Sequence, residues 1–278
     1  MTAESERRRR IAQSVVSGLA AHTHLRASLL TGSAAQETSD EHSDIDLINN
    51  YDVLPDPRAF REVLVGLGAV PMGEISPPRP EGFACRFQME GIEVQTGGEL
   101  IAALEGRLES IAAGEVDWIT AKVAMGLLEG VPLFGHDLIR MWQQRAAYPE
   151  SLRRREVESN LGFFPIWKVD GQLAARDAEL FRRQMLLDGA FRVVAVLSAV
   201  NRLYFSTFQF KRAGAHCAGM AVAPERLAER LDFVANAAPS EAAEELRRLV
   251  EETKSIVRAE MPDVDADVPW QPIRGQNP

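Results

Sequence analysis

The pattern of apolar and polar positions changes character near residue 98. Before it, short alternating runs interleave with helical stretches; after it, nearly every segment repeats at helical spacing. Ile11, Val15, Val16 and Leu19 recur three or four apart and predict an opening helix over about Glu4–Ala21. The Arg7–Arg10 run then reads as its solvated first turns. Leu25–Thr31 is a short apolar run closed by Gly32-Ser33, a strand followed by a tight turn. Ser43–Ile48 alternates, which puts Asp44 and Asp46 on one face and Ile45 and Leu47 on the other. A helix is expected over about Asp56–Leu67, a loop at Pro77–Pro80, and a hairpin of Phe83–Met89 and Ile92–Thr96 around Glu90-Gly91. Amphipathic helices follow over about Leu100–Ala113, Val116–Glu129, His136–Ala147, Glu150–Trp167, Leu173–Phe205, Pro224–Asn236 and Ser240–Glu260.

This order predicts an α+β chain with two domains. Residues 1–98 form a mixed β-sheet domain with helices, and residues 99–278 form a helical bundle. Its tail, from about 262, holds four prolines and reads as irregular.

Composition narrows the class. Of 278 residues, 46% are hydrophobic and 26% charged, the balance of a soluble globular protein. No run reaches the roughly 18 apolar residues of a membrane span, and Gln13, Ser14 and Ser17 interrupt the stretch where a secretory signal would need to be apolar. Cys85 and Cys217 are far apart and lack metal-ligand spacing, so a reducing cytoplasm is the expected location. A net charge of −9 counts against broad nucleic-acid binding and is compatible with a cationic small molecule.

The chemistry concentrates in Leu29-Leu30-Thr31-Gly32-Ser33 and Ser43-Asp44-Ile45-Asp46-Leu47. A glycine after a buried strand lets the backbone turn and approach a ligand closely. If Ser33 opens a short helix through Ala34, Ala35 and Gln36, its hydroxyl and the free N–H groups favour an anion such as a triphosphate; Ser33 as a plain N-cap leaves it at the same place. Ten residues between Ser33 and Asp44 suffice for that helix and a return to an adjacent strand. Two carboxylates two apart on a strand repel unless a cation sits between them, and hard oxygen ligands suit magnesium bridged to phosphates. Glu93, a lone acid between Ile92 and Val94, is the candidate third carboxylate, as a metal ligand or as the acceptor of a hydroxyl proton; the competing reading is a solvent-facing strand residue.

These motifs resemble the signature of the polymerase-β-type nucleotidyltransferase superfamily: the Gly-Ser turn, a short helix, then Ser-Asp-Ile-Asp-Leu. The spacing looks most like the aminoglycoside and lincosamide adenylyltransferase-like members. More weakly, Gly130–Gly135 resembles the segment linking their two domains, and Asn201–Phe205 with Lys211-Arg212 a helix-end segment of their helical domain. The resemblance implies that Asp44, Asp46 and Glu93 are the metal-binding and catalytic acids, and that Gly32 and Ser33 contact the triphosphate. The third acid is Glu here where many members carry Asp. Lys211 and Arg212 either reach the triphosphate or complete a helix terminus. Lys168 after Phe163–Trp167 offers a comparable cation beside an aromatic stretch that reads as core. Glu115 and Asp117 fit a helix start and, alternatively, a cationic acceptor.

The expected activity is therefore magnesium-dependent transfer of a nucleoside monophosphate, AMP from ATP by resemblance, onto a hydroxyl of an aminoglycoside- or lincosamide-like molecule. Two alternatives stay open: a non-catalytic NTP-binding or interaction module, and transfer to a protein or tRNA acceptor, the tRNA disfavoured by charge. The long helix from about Leu173 leaves a homodimer open.

Overall fold

The computed structural model describes residues 2–76, 79–208 and 210–270. Pro77-Pro78 of the expected loop and the last eight residues of the expected irregular tail lie outside them. The chain is α+β and divides into two compact units. One runs up to Ala112 and takes in Lys122–Ala147; the other comprises Ala113–Ala121 and the residues from Tyr148 onward. The division expected at Gly98 falls inside a strand, β5.

The first unit carries a six-stranded sheet: β1 (Leu25–Thr31), β2 (Ile45–Tyr51), β3 (Val70–Pro71), β4 (Gly82–Met89), β5 (Ile92–Leu100) and β6 (Val131–Phe134). Their order is β3-β4-β5-β2-β1-β6, and only β2 and β5 run parallel. Helices α1 (Ala3–His22) and α3 (Pro57–Gly66) cover one face. Ile11, Val15 and Leu19 of α1 pack there with Leu30, Ile45, Tyr51, Phe60 and Val94, all buried. The β4–β5 turn has Glu90 at φ 51° and Gly91 at φ 82°, the pair of positive φ values that a two-residue hairpin with the right twist requires. Gly130–Gly135, expected to link the domains, instead supplies β6, which pairs antiparallel with β1 and carries Pro132. At the opposite edge β3 carries Pro71. Between these strands lie a single-turn α2 (Gly32–Ala35), then α4 (Ile101–Ala112), α5 (Trp118–Glu129) and, after β6, α6 (His136–Arg145).

The second unit is helical: α7 (Glu150–Asn160), α8 (Ile166–Ala174), α9 (Glu179–Val200), α10 (Ala213–Ala218), α11 (Leu227–Asn236) and α12 (Pro239–Glu260). The single helix expected over Glu150–Trp167 is broken. Pro165 cannot donate a helical hydrogen bond, and Gly162 lies so close to the chain at Pro269 that a Cβ there would sit 2.8 Å from the Pro269 carbonyl oxygen. Leu173 belongs to α8, and α9 ends at Val200, before Arg202 turns to φ 56°. Val193, Val196 and Leu197 of α9 are buried against Leu246, Leu249 and Val250 of α12. A buried ion pair crosses this core: Arg182 donates to both carboxylate oxygens of Asp170, at 2.8 and 3.1 Å, and holds its carboxyl below the usual range. Among the described residues no helix is long and apolar enough to cross a membrane, and Cys85 and Cys217 are free.

Candidate functional site

The register of the central strands determines which side chains meet. Ile45 pairs with Val94 and Asp46 with Gln95 across the parallel β2–β5 pair, while Thr31 of β1 lies opposite Asp46. Ile45 and Val94 are fully buried in the helix-covered core. Alternation therefore sends Asp44, Asp46, Glu93 and Gln95 to the other face together. Asp44 precedes the first residue of β2, and Glu93 is the second residue of β5.

One amide joins two of these acids. Gln95 Nε2 lies 2.9 Å from Asp44 Oδ2 and 3.3 Å from Glu93 Oε1, donating to both. Arg86, opposite Gln95 on β4, approaches Glu93 Oε1 at 3.7 Å. Among the described residues no three His, Cys, Asp or Glu side chains converge into a ready-made metal cage. Magnesium does not require one: it is commonly held by one or two carboxylates, with phosphate oxygens and water completing its shell. Asp44 and Asp46 supply such a pair of hard oxygen donors, and Glu93 stands next along the same face.

Gly32 has a specific reason to be glycine. Its φ is +67°, and a Cβ built on it would lie 2.5 Å from Asp46 Oδ2. The turn thus brings bare backbone against a carboxylate of the site, where a larger residue would displace it. Ser33 is not the N-cap: the single turn starts at Gly32 with Thr31 in the cap position. The Ser33 hydroxyl instead lies 3.2 Å from that of Ser39, so its first partner is the following loop.

That loop is fastened to α1. Arg8, expected in solvent, is 1% exposed. Its Nε donates to Ser43 O at 2.9 Å, its other nitrogens to Glu4 O at 3.2 Å and Glu41 O at 3.5 Å, and it pairs with the Glu4 carboxylate. Ser39 N donates to Ser5 Oγ at 3.0 Å, and Thr2 Oγ1 donates to Ser39 O at 3.0 Å. Asp40 closes the turn before Asp44 by accepting from His42 N and Ser43 Oγ at 3.0 and 2.8 Å. The sequence did hold a signal for Arg8: run backwards from Ala12 and Leu19, the helical stripe passes through Arg8 and Ser5.

Asn49, like Gln95, carries no sequence signal that points to the site. It is buried and accepts from Ser28 Oγ at 2.8 Å while donating to Thr96 Oγ1 at 2.7 Å and Gly97 O at 2.9 Å. The amide ties β1, β2 and β5 at mid-sheet. A cavity of about 630 Å³ extends from Thr31 and Asp46 past Gln95 to Gly97 and Glu99, with Arg86 on its wall. That volume lies within the range of pockets that take small organic ligands, roughly 300–1,000 Å³.

Lys211 belongs to the second unit, exposed in the coil before α10, and Arg212 precedes that helix at φ 58°. Lys168 is an exposed residue of α8.

No family model matches the chain, and none of the curated proteins is similar to it. Among solved structures it is similar to the crystal structure of a nucleotidyltransferase-like protein from Exiguobacterium sibiricum 255-15. The identity is 10% and the TM-score 0.42, over 94% of this chain and 81% of that one. At that identity the likeness assigns no residue a role.

Proposed function

We propose that the chain is a magnesium-dependent nucleotidyltransferase that moves a nucleoside monophosphate, AMP from ATP, onto a hydroxyl of a small molecule. The observation that carries this reading is the placing of Asp44, Asp46 and Glu93 on one face of two adjacent parallel strands, with the Gly32 turn against Asp46. Magnesium held by Asp44 and Asp46 would neutralise the triphosphate and orient it. The protein's own part is positional. Gly32 and the Ser33 turn leave room for phosphate oxygens beside Asp46. Glu93 accepts the proton of the acceptor hydroxyl, whose oxygen attacks the α-phosphorus as the bond to pyrophosphate breaks. Holding these groups in line supplies most of the acceleration in such transfers. An aminoglycoside- or lincosamide-like antibiotic is the acceptor proposed on the resemblance of the motif, and resistance the corresponding role.

One observation favours a second reading, an NTP-binding module without turnover: the Gln95 amide occupies the space between Asp44 and Glu93 and bonds both. Pyrophosphate release from each NTP with magnesium distinguishes them. It is measured with and without aminoglycoside, lincosamide, protein and tRNA acceptors, in wild type and Asp46→Ala. Acceptor-dependent release that disappears in the variant supports transfer. Magnesium-dependent NTP binding without release, lost in the variant, supports the binding module. Neither release nor binding overturns both.

A further inference from the structure

The second unit contains a cavity of its own, about 220 Å³, between the 116–121 stretch, α7 and the segment after α9. Its walls include Trp118, Tyr148, Tyr204 and Phe205, and Glu156 and Asp117 open onto it. Tyr148 and Tyr204 meet with ring centroids 4.8 Å apart and their planes tilted by 53°. Beside them Trp118 leans on Phe208 at 4.7 Å, and these two rings are 52% and 49% exposed. Four aromatic residues lining a cavity that also holds a carboxylate is not what a sealed core requires, since a core excludes unpaired charge.

The two acids differ in their commitments. Asp117 accepts from Thr120 N at 2.7 Å, capping the start of α5, and has further interactions. Glu156 has no cation paired with it among the described residues; its carboxylate is reached only by Asn160 Nδ2, at 3.5 Å. The neighbouring Arg155 spends its guanidinium on Gly114 O at 2.7 Å. Burial pushes the Glu156 carboxyl above its usual range, and Arg155 opposes this only in part. No salt bridge to the group is present among the described residues, and aromatic side chains of the kind that line its cavity attract cations.

We propose that this cavity binds one organic ammonium group, with Glu156 as its counter-ion and Trp118, Tyr148, Tyr204 and Phe205 as its walls. The volume sets the size of the ligand. It falls below the roughly 300 Å³ at which drug-sized pockets begin, so a single alkylated ammonium head enters and a multi-ring molecule does not enter whole. The single uncommitted carboxylate sets the charge at one. The site lies within the second unit and stands independently of nucleotidyl transfer.

Choline is a suitable probe, with 3,3-dimethylbutan-1-ol as its uncharged counterpart of the same shape. Each is titrated into the full chain without nucleotide or magnesium, by calorimetry and by tryptophan fluorescence. Choline is expected to bind one per chain, about tenfold or more tighter than the alcohol. Glu156→Gln should weaken choline by about tenfold or more while leaving the alcohol unchanged. Trp118→Leu should lower choline affinity several-fold and remove the fluorescence change. Asp46→Ala should bind choline as wild type does, which separates this result from the fate of the transferase reading. Circular dichroism of both pocket variants confirms that they fold. Equal affinity for choline and the alcohol, choline binding unchanged in Glu156→Gln, or no saturable binding would overturn the proposal. A far tighter fit for spermidine than for choline would overturn the assignment of a single charge.

Discussion

Replacing Arg8 by methionine removes a buried charge while keeping most of the apolar stem that fills its place in α1. The guanidinium is 1% exposed and donates to three backbone carbonyls, the shortest contact being 2.9 Å to Ser43 O. A hydrogen bond to a charged group contributes about 1.5–3 kcal/mol, and a buried carbonyl left without a donor costs a similar amount. Among the carbonyls only Ser43 O is close; the Glu41 contact, at 3.5 Å, is weak, and the Glu4 carboxylate that pairs with Arg8 is partly exposed and can turn to water. The first unit should therefore lose about 3 kcal/mol. At about 2–4 °C per kcal/mol this lowers its melting midpoint by about 6–12 °C. Two units can unfold separately, so global melting needs a local companion. Hydrogen exchange on peptides spanning 37–51 follows the loop and β2 directly, and protection of Ser39 and Ser43 should fall most. Asp44 follows Ser43, so the magnesium concentration needed for half-maximal NTP binding should rise. A midpoint shift under about 2 °C, with unchanged exchange at Ser39 and Ser43, would refute the idea that Arg8 holds this loop.

Three further outcomes follow from the geometry. Gly32→Ala places a Cβ 2.5 Å from Asp46 Oδ2 at a φ of +67°; it should cost about 1–2 kcal/mol of stability and reduce magnesium-dependent turnover at least tenfold (about 1.4 kcal/mol), read from kcat/KM. Asn49→Leu strands the hydroxyls of Ser28 and Thr96 and the carbonyl of Gly97, and urea titration should show a loss of about 2–4 kcal/mol. For Glu156, whose folded pKa is raised above the ordinary 4.5, the native state binds more protons than the unfolded one between those two values, so its contribution to stability falls as pH rises through that window. Glu156→Gln should consequently melt higher than wild type at pH 7 and converge with it near pH 4, by differential scanning calorimetry.

The α+β architecture was legible because its strongest signals are local. The Leu25–Thr31 run is β1 as observed, and the turn at Glu90-Gly91 follows from side-chain chemistry at two residues. Alternation alone put Asp44 and Asp46 on one face. β6 escaped because Pro132 argues against a strand and an edge position is what tolerates it. The interruption between α7 and α8 has a local signal in Pro165, outweighed by the helical rhythm of Phe163, Phe164, Ile166 and Trp167, and a distant one in the approach of Pro269, more than a hundred residues on. In the sequence the charge of Arg8 outweighs its period, because most of its partners are backbone carbonyls, which leave no mark there. Gln95 was passed over for a related reason, since its partners became visible only when the β2–β5 register placed it beside Asp46.

The two outermost strands also bear on how copies of this chain can associate. Each ends the sheet with a proline, Pro71 on β3 and Pro132 on β6. Neither residue has an N–H to offer an incoming strand, and β3 is only two residues long, with β6 four. A flat, unoccupied ladder is the usual template for fibril growth and for strand exchange between molecules. Here both rims are blunted, so the sheet is self-limiting in width. Edge-to-edge pairing through β3 and β6 is therefore disfavoured, and the crowded conditions of overexpression should not drive the sheets to join at these two strands.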